Sequence, residues 1–485
     1  MARLAAARAA ALAAVSAARR RDARIRDLMR TSPAVAALDA RDRALATRLA
    51  VGCVRAVGTL DALIDAHLRP GSRLEPRLRD ALRVSAFETC YLATPAHVAV
   101  SQGVLLAASV APRARGLANA VLRRIAEKDA PRVAAAASRL AEPDAAPAMA
   151  DLVDDLAPAG AVPAWLARAT LDSVGPDVAR RLAAGAFEPP SATLALGRPG
   201  CAEDPDDPAD PLAAAGLSAR ALSWPGAFAL DSMAGLADSG LVQSARVLPA
   251  DLAAQVVSTL AAPASDSTLL EVGQGRATKT ILMARAAAER GVSARITSID
   301  LEPFKVDLAR ERLARAGVSA MCESLALDAR RLADADLPPQ LARTFDRVFV
   351  DAPCSGSGTL RRHPEIAWSL DESSVAEGGA LPRLQLQILE AASARVAPGG
   401  LLLYSTCSNL VAENESVISS FLASDAGRPF AVEPVDADAD ALCLQPEART
   451  LLSASVAEKS FLRTAGSSLS GVSLDGHFLA RLRRV

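Results

Sequence analysis

The chain is poor in the residues that build metal centres and disulfide scaffolds. Its seven cysteines (Cys53, Cys90, Cys201, Cys322, Cys354, Cys407 and Cys443) form no C-x-x-C pair, and only four histidines are scattered over 485 residues. That argues against a structural zinc site or a disulfide framework and for a reducing, cytoplasmic setting. No uncharged apolar run reaches the roughly 18 residues a membrane span needs. The opening "MARLAAARAAALAAVSAARRR" is interrupted by Arg8 and followed, not preceded, by its basic cluster. An amphipathic helix of the folded protein is expected there rather than a targeting segment. Lysine is scarce as well, four against fifty arginines, so a lysine inside a motif is informative. Net charge is only −1 and by itself says nothing of a polyanionic partner.

What is present is unevenly spread. Residues 1–130 carry a net +11, residues 131–260 a net −8 and residues 261–485 a net −4. A basic end on a mildly acidic body is the footprint expected if one module meets a polyanion, the alternative being a solvated arginine-rich helical surface. A chain this long is expected to hold two to four domains. Residues 1–130 read as helices throughout: Leu45, Leu49, Val57, Leu60 and Ile64 form one helical stripe, and Pro95 and Pro112 act as breakers. Residues 131–163, rich in Ala, Pro and Asp, read as a linker. Residues 164–262 read as a small mixed α+β module with an acidic, proline-rich loop at 201–211. From 263 to 485, strands at "TLLEVG", "RITSID", "DRVFVD" and "GLLLYS" alternate with helices at 278–290, 303–316 and 382–396. This predicts a parallel sheet covered on both faces, with ligands at the carboxyl ends of its strands. The closing "GHFLARLRR" is expected as an antiparallel edge strand.

The turn after the first of these strands, "GQGRATKT", admits two readings. Lys279 and Thr280 stand where a phosphate-binding loop has its lysine and hydroxyl, and "RVFVDA" resembles the magnesium-holding strand of nucleotide hydrolases. Thr278, however, replaces the glycine that lets backbone approach phosphate. The other reading is an adenosyl cofactor without a polyphosphate, for which Gly273 and Gly275 make the turn. Asp300, closing the next strand, would then take the ribose hydroxyls, with Glu302 just beyond.

Two later motifs decide between them. "DAPCSGSG" puts Asp351 and Cys354 at one strand's end, and "STCS" puts Cys407 at the end of the next strand in sequence. A nucleotide hydrolase has no use for two thiols there, whereas a pyrimidine carbon-5 methyltransferase does. Carbon 5 of cytosine is too weak a nucleophile until a thiolate adds to carbon 6. After methyl transfer the carbon 5 proton leaves and the thiol is eliminated. Cysteine suits both attack and departure, and its free pKa of ~8.5 needs only modest activation. A carboxylate that hydrogen-bonds the N3/N4 edge of the base would hold charge on the ring, a role for Asp351.

These segments, "DAPCSGSG…RRHPE" and "STCS…EN", closely resemble the RsmB/Sun family of S-adenosylmethionine-dependent rRNA cytosine-5 methyltransferases. "FETCYLATPAHVAVSQGV" and "LANAVLRR" resemble that family's NusB-like RNA-binding domain, and "DGHFLARL" its last strand. The resemblance implies a multi-domain fold: an all-α NusB-like domain, a small α+β subdomain contacting RNA, and a C-terminal α/β, Rossmann-like class I methyltransferase domain. It implies that Cys407 is the nucleophile and that Cys354 assists elimination and release of 5-methylcytosine RNA, with 16S rRNA as the expected substrate. Asp300 would hold the ribose, Asp328 the adenine side, and Asp351 the junction of methyl donor and base. Lys279 would pair with Asp351 or the cofactor's carboxylate. Next to the catalytic motif, Arg361, Arg362 and His363 are expected at RNA phosphates. Trp368 is expected to pack rather than stack on a base, and His97 to cap or pack a helix. The family's first motif reads Ala-Pro-Gly-Gly-Lys-Thr, whereas this chain has Gly275-Arg-Ala-Thr-Lys-Thr280, without the proline and both glycines. That departure leaves a second reading, an RNA-binding assembly or antitermination-like factor with a degenerate cofactor site.

Overall fold

The structure, a computed structural model, describes residues 4–21, 23–142, 149–196, 211–442, 444–456 and 460–485. Cys201, Cys443 and the acidic stretch 201–210 lie outside the described residues. The chain divides into two compact units, Met1–Pro189 with Thr359–Glu372, and Pro190–Gly358 with Ser373–Val485.

The first unit is helical. Helices Ala6–Arg21, Ala40–Arg55, Val57–Ala66, Pro76–Tyr91, Ala96–Val110 and Arg115–Arg124 enclose a core of Leu12, Val15, Leu49, Leu60, Leu82, Phe87, Leu106 and Leu122. The expected single stripe from Leu45 to Ile64 is split between two helices at Ala56, which leaves helical geometry. Gly52 is required where two helices approach, because a Cβ there would stand 1.9 Å from the Phe87 ring. Arg8, which breaks the apolar opening in sequence, is buried and ion-paired with Glu88. Where the sequence suggests a linker, residues 131–163 carry helices Ala130–Ala141 and Met149–Gly160 in this same unit. Alanine explains the difference, since it is the strongest helix former and a run of it reads as low complexity.

The second unit begins with a four-stranded antiparallel sheet, ordered Ala219–Ala221, Ala227–Leu230, Thr193–Leu196, Val247–Pro249. Asp251 then caps helix Leu252–Ala261 through the Ala254 amide at 3.0 Å. The main sheet follows, with strands β1 (Ser267–Val272), β2 (Ala294–Asp300), β3 (Cys322–Ala326), β4 (Phe345–Asp351), β5 (Val396–Thr406), β6 (Phe430–Glu433) and β7 (Phe478–Arg484). Their order is β6-β7-β5-β4-β1-β2-β3, and Leu462–Arg463 adds a short ladder to β7. The ladders β3/β2, β2/β1, β1/β4 and β4/β5 are parallel, while β7 runs antiparallel to both neighbours. This is the Rossmann-like class I methyltransferase arrangement, with helices Thr278–Glu289, Pro303–Arg315 and Ala380–Ser393 between the strands. Strand β7 is antiparallel as expected, but it is not at the edge. The short, half-exposed β6 takes that place. The strand order reverses at β1, so the carboxyl ends of β1 and β4 open the crevice where such sheets take ligands.

Candidate active site

The floor is the turn after β1. Gly273 (φ +89°) has no room for a side chain, since a Cβ would lie 2.3 Å from the Asp351 carbonyl oxygen on β4. Its amide and that of Gln274 both donate to the Ile299 carbonyl at 2.9 and 3.0 Å, tying the turn to β2. Gly275 (φ +57°) donates its amide to Asp300 Oδ2 at 2.8 Å, while Asp300 Oδ1 accepts the Glu302 amide at 3.1 Å. Ala277 is left-handed at φ +58°, and Thr278 begins the next helix. Only the first of the two missing glycines therefore falls where backbone conformation favours one. Arg312 holds this turn from the neighbouring helix, donating to the Arg276 carbonyl and, at 3.2 Å, to the Thr278 hydroxyl.

Beneath the turn lies a carboxylate that sequence reasoning passed over. Glu271 on β1 is fully buried, and its Oε2 accepts the hydroxyls of Thr280 at 2.6 Å and Ser298 at 2.7 Å. Burial pushes its pKa up to about 7 against those two bonds. Glu271 Oε1 and Gln274 Oε1 are buried without a partner, so the turn keeps unused acceptors for a ligand with N–H or O–H groups. These features fit an adenosyl cofactor bearing ribose hydroxyls and an ammonium group. Asp300 and the amides around it would hold that group here.

The thiols meet at the edge of β4 and β5. Cys354 Sγ and Cys407 Sγ are 3.4 Å apart, both largely buried. Lys279 Nζ pairs with Asp351 Oδ2 at 2.7 Å, one of its two expected roles. Burial opposes the ammonium, but the Asp351 carboxylate outweighs it, and the Lys279 pKa is raised. The hydrogen bond from Cys354 lowers the pKa of Cys407, assisted by the Lys279 charge and opposed by burial. The same bond, then burial and the Cys407 charge, drives the Cys354 pKa up. The two sulfurs are thereby driven apart, Cys407 toward ionisation and Cys354 away from it.

The remaining expected residues are less concentrated. Asp328 follows β3 and caps the short helix Ala329–Ala333; its neighbour Leu327 donates to the Asp300 carbonyl at 3.0 Å. Its carboxylate pairs with Arg330, whose hydrogen bonds lower its pKa. Arg361, Arg362 and His363 cluster with the helical unit. There Arg26 donates to the Arg361 and Arg362 carbonyls at 3.1 Å each, and His363 lies 3.6 Å from Glu365. Trp368 packs against the helical core, as expected. His97 instead lies exposed on the first turn of helix Ala96–Val110, at the rim of a groove of about 780 Å³.

Residues 258–450 match the family of 16S rRNA methyltransferases RsmB/F, and residues 2–127 match the NusB family. The ribosomal RNA small subunit methyltransferase B of Pseudomonas putida is 32% identical over 424 residues, covering 86% of this chain and 88% of that one. This chain belongs to the RsmB/Sun family. Family members are S-adenosylmethionine-dependent methyltransferases of small-subunit rRNA. A methyltransferase of Mycobacterium tuberculosis is 35% identical over 398 residues, covering 79% of each chain. The fold is shared with the crystal structure of PH0851, at TM-score 0.70, 19% identity and 98% coverage of both chains. In this RsmB/Sun chain the family match spans the whole turn and both cysteine loops. Residues the sequence reading missed, Glu271, Arg312 and the buried Glu413, also fall within it. Glu413 was visible only as the acid of "EN" in the second motif.

Proposed function

We propose that the protein methylates carbon 5 of a cytosine in small-subunit rRNA through a covalent adduct on Cys407. The observation that carries this reading is the 3.4 Å pair of thiols, in which Cys354 and Lys279 favour ionisation of Cys407. The Cys407 thiolate adds to carbon 6, and the ring electrons it displaces make carbon 5 nucleophilic. S-adenosylmethionine supplies the electrophilic methyl group when bound. Asp351, held by Lys279, accepts from the exocyclic amine at the N3/N4 edge and keeps the base oriented as charge builds on the ring. A water in the crevice takes the carbon 5 proton, the C–H electron pair re-forms the carbon 5–carbon 6 double bond, and the carbon–sulfur bond breaks with its electron pair returning to the Cys407 sulfur. The proton on Cys354, within reach of that sulfur, assists this departure. Cytosine must leave its helix to reach such a site, and the basic N-terminal module supplies phosphate contacts that hold the RNA.

The experiment is bisulfite sequencing of rRNA from cells with and without the protein, joined to two variants. Cys407→Ala abolishes methylation while RNA binding persists, and Cys354→Ala accumulates an RNA–protein adduct on a denaturing gel. Full turnover by Cys407→Ala, or an unchanged set of 5-methylcytosines without the protein, sinks the reading.

A further inference from the structure

Neither cysteine loop is held by its own backbone alone. The Glu413 carboxylate, 0% exposed, stands between them. Its Oε1 accepts the Ser355 amide at 2.8 Å and the Gln385 side-chain amide at 3.0 Å. Its Oε2 accepts both the Ser355 and the Ser408 hydroxyls. Ser355 follows Cys354 in the chain, and Ser408 follows Cys407. The frame around the carboxylate is rigid: the Tyr404 hydroxyl donates to the Glu413 carbonyl at 2.6 Å, and Gln385 also donates to the Pro353 carbonyl at 2.9 Å. Asn414 binds the Thr406 hydroxyl at 2.6 Å and the Ser408 carbonyl at 2.9 Å. We propose that Glu413 is a positioning residue: one buried carboxylate grips the residue after each cysteine and thereby sets the approach of the two sulfurs. The role rests on the two-thiol reading given above.

Position and charge act together. Glu413 is among the groups that raise the Cys354 pKa, after the Cys407 hydrogen bond, burial and the Cys407 charge. Cys407 faces Lys279, which favours its thiolate, and Asp351 and Asp251, which oppose it. The buried Tyr404 hydroxyl borders Cys354 as well and is itself held neutral by burial. Glu413 is therefore the carboxylate on the Cys354 side of the pair. Its charge adds to the hydrogen bond and burial that disfavour ionisation of Cys354.

Glu413→Gln in the full-length protein tests this. The amide keeps the shape, and the serine hydroxyls can turn to accept from it, so what is lost is charge and the strength of charge-assisted bonds. Iodoacetamide labelling of Cys354 and Cys407 is followed separately by peptide mass spectrometry across pH, without RNA or methyl donor. Wild-type protein labels Cys407 first and at lower pH. In the variant that preference falls about tenfold, and kcat falls by at least as much while KM for RNA stays within about twofold. A folded variant with wild-type labelling preference and kcat overturns the proposal. Should Glu413→Gln fail to fold by circular dichroism, Ser355→Ala and Ser408→Ala each delete one donor and shift labelling in the same direction. Wild-type labelling in both overturns it equally. The labelling needs no substrate, so it reports on Glu413 even if the methylated atom proves to be other than carbon 5.

Discussion

Buried carboxylates occur in both units, and they are treated differently. In the helical unit Asp80, 0% exposed, meets full positive charges: Arg19 at 3.0 Å and Arg83 at 3.0 Å, with Ser16 adding a hydroxyl at 2.8 Å. Glu88 is likewise paired with Arg8. In the α/β unit Glu271 and Glu413, equally buried, receive only hydroxyl, amide and backbone donors. A carboxylate matched by guanidinium groups serves as a structural cross-link. One matched by neutral donors keeps an unspent field that neighbouring groups feel. The difference separates Asp80 and Glu88, which cross-link helices, from Glu271 and Glu413, which lie beside the glycine turn and the cysteine loops.

The comparison breaks most readily at Asp80. Asp80→Ala leaves Arg19 and Arg83 facing a cavity, and breaking a buried pair in this way costs about 3 kcal/mol or more. Urea denaturation followed by circular dichroism should show the loss at every pH from 6 to 9; a change under 1 kcal/mol (about the worth of a surface pair) would erase the distinction. Glu271→Gln tests the other side and has the opposite sign. Because burial raises the folded-state pKa of Glu271 from 4.5 to about 7, the native state holds its proton more tightly than the unfolded chain. The stability that protonated Glu271 contributes is complete below about pH 4.5 and is lost as pH rises through 7. Wild-type protein therefore loses up to about 3 kcal/mol across that window through this one group. The Gln variant, unable to ionise, should show a flatter stability–pH curve and equal or greater stability at pH 8. A parallel curve for the variant refutes the assignment.

How much of this could be read beforehand follows from what each feature depends on. Strands β1, β4 and β5 announce themselves because they are buried on both faces and carry short apolar runs, and β2 by Ile296 and Ile299 before a terminal Asp300. Strand β3, Cys322–Ala326, alternates partly exposed residues around Ser324 and carries no such run. The interior place of β7 depends on β6 pairing outside it, which no local pattern specifies. The cysteine motifs were legible as short signatures at strand ends, together with Asp300, Asp351 and Lys279. Glu413 sits in one of those signatures, yet its task depends on Ser355 and Gln385, 58 and 28 residues away in sequence. Only the fold brings them together. Arg361, Arg362 and His363 were read from adjacency to Cys354, but the chain passes to the other unit at Thr359.

The smallest expected effect concerns the turn above Glu271. Ala277 occupies the left-handed region and is 0% exposed. A left-handed alanine costs roughly 1–2 kcal/mol, which Ala277→Gly would relieve. Glycine loses about 0.5–1 kcal/mol of backbone entropy on folding, and deleting a buried methyl forfeits about 0.8 kcal/mol. The contributions nearly cancel, so Ala277→Gly should change unfolding free energy by less than about 1 kcal/mol. The hydrogen bonds from Arg312 to Arg276 and Thr278 are unaffected by that substitution and continue to hold the turn. A stabilisation of about 2 kcal/mol or more would mean that backbone strain at the turn outweighs the buried methyl. The turn would then hold the α/β unit's reserve of instability in place of the ionisable Glu271 beneath it. Chemical denaturation at pH 5, where Glu271 is protonated in the folded state, isolates the backbone contribution from that of the carboxylate.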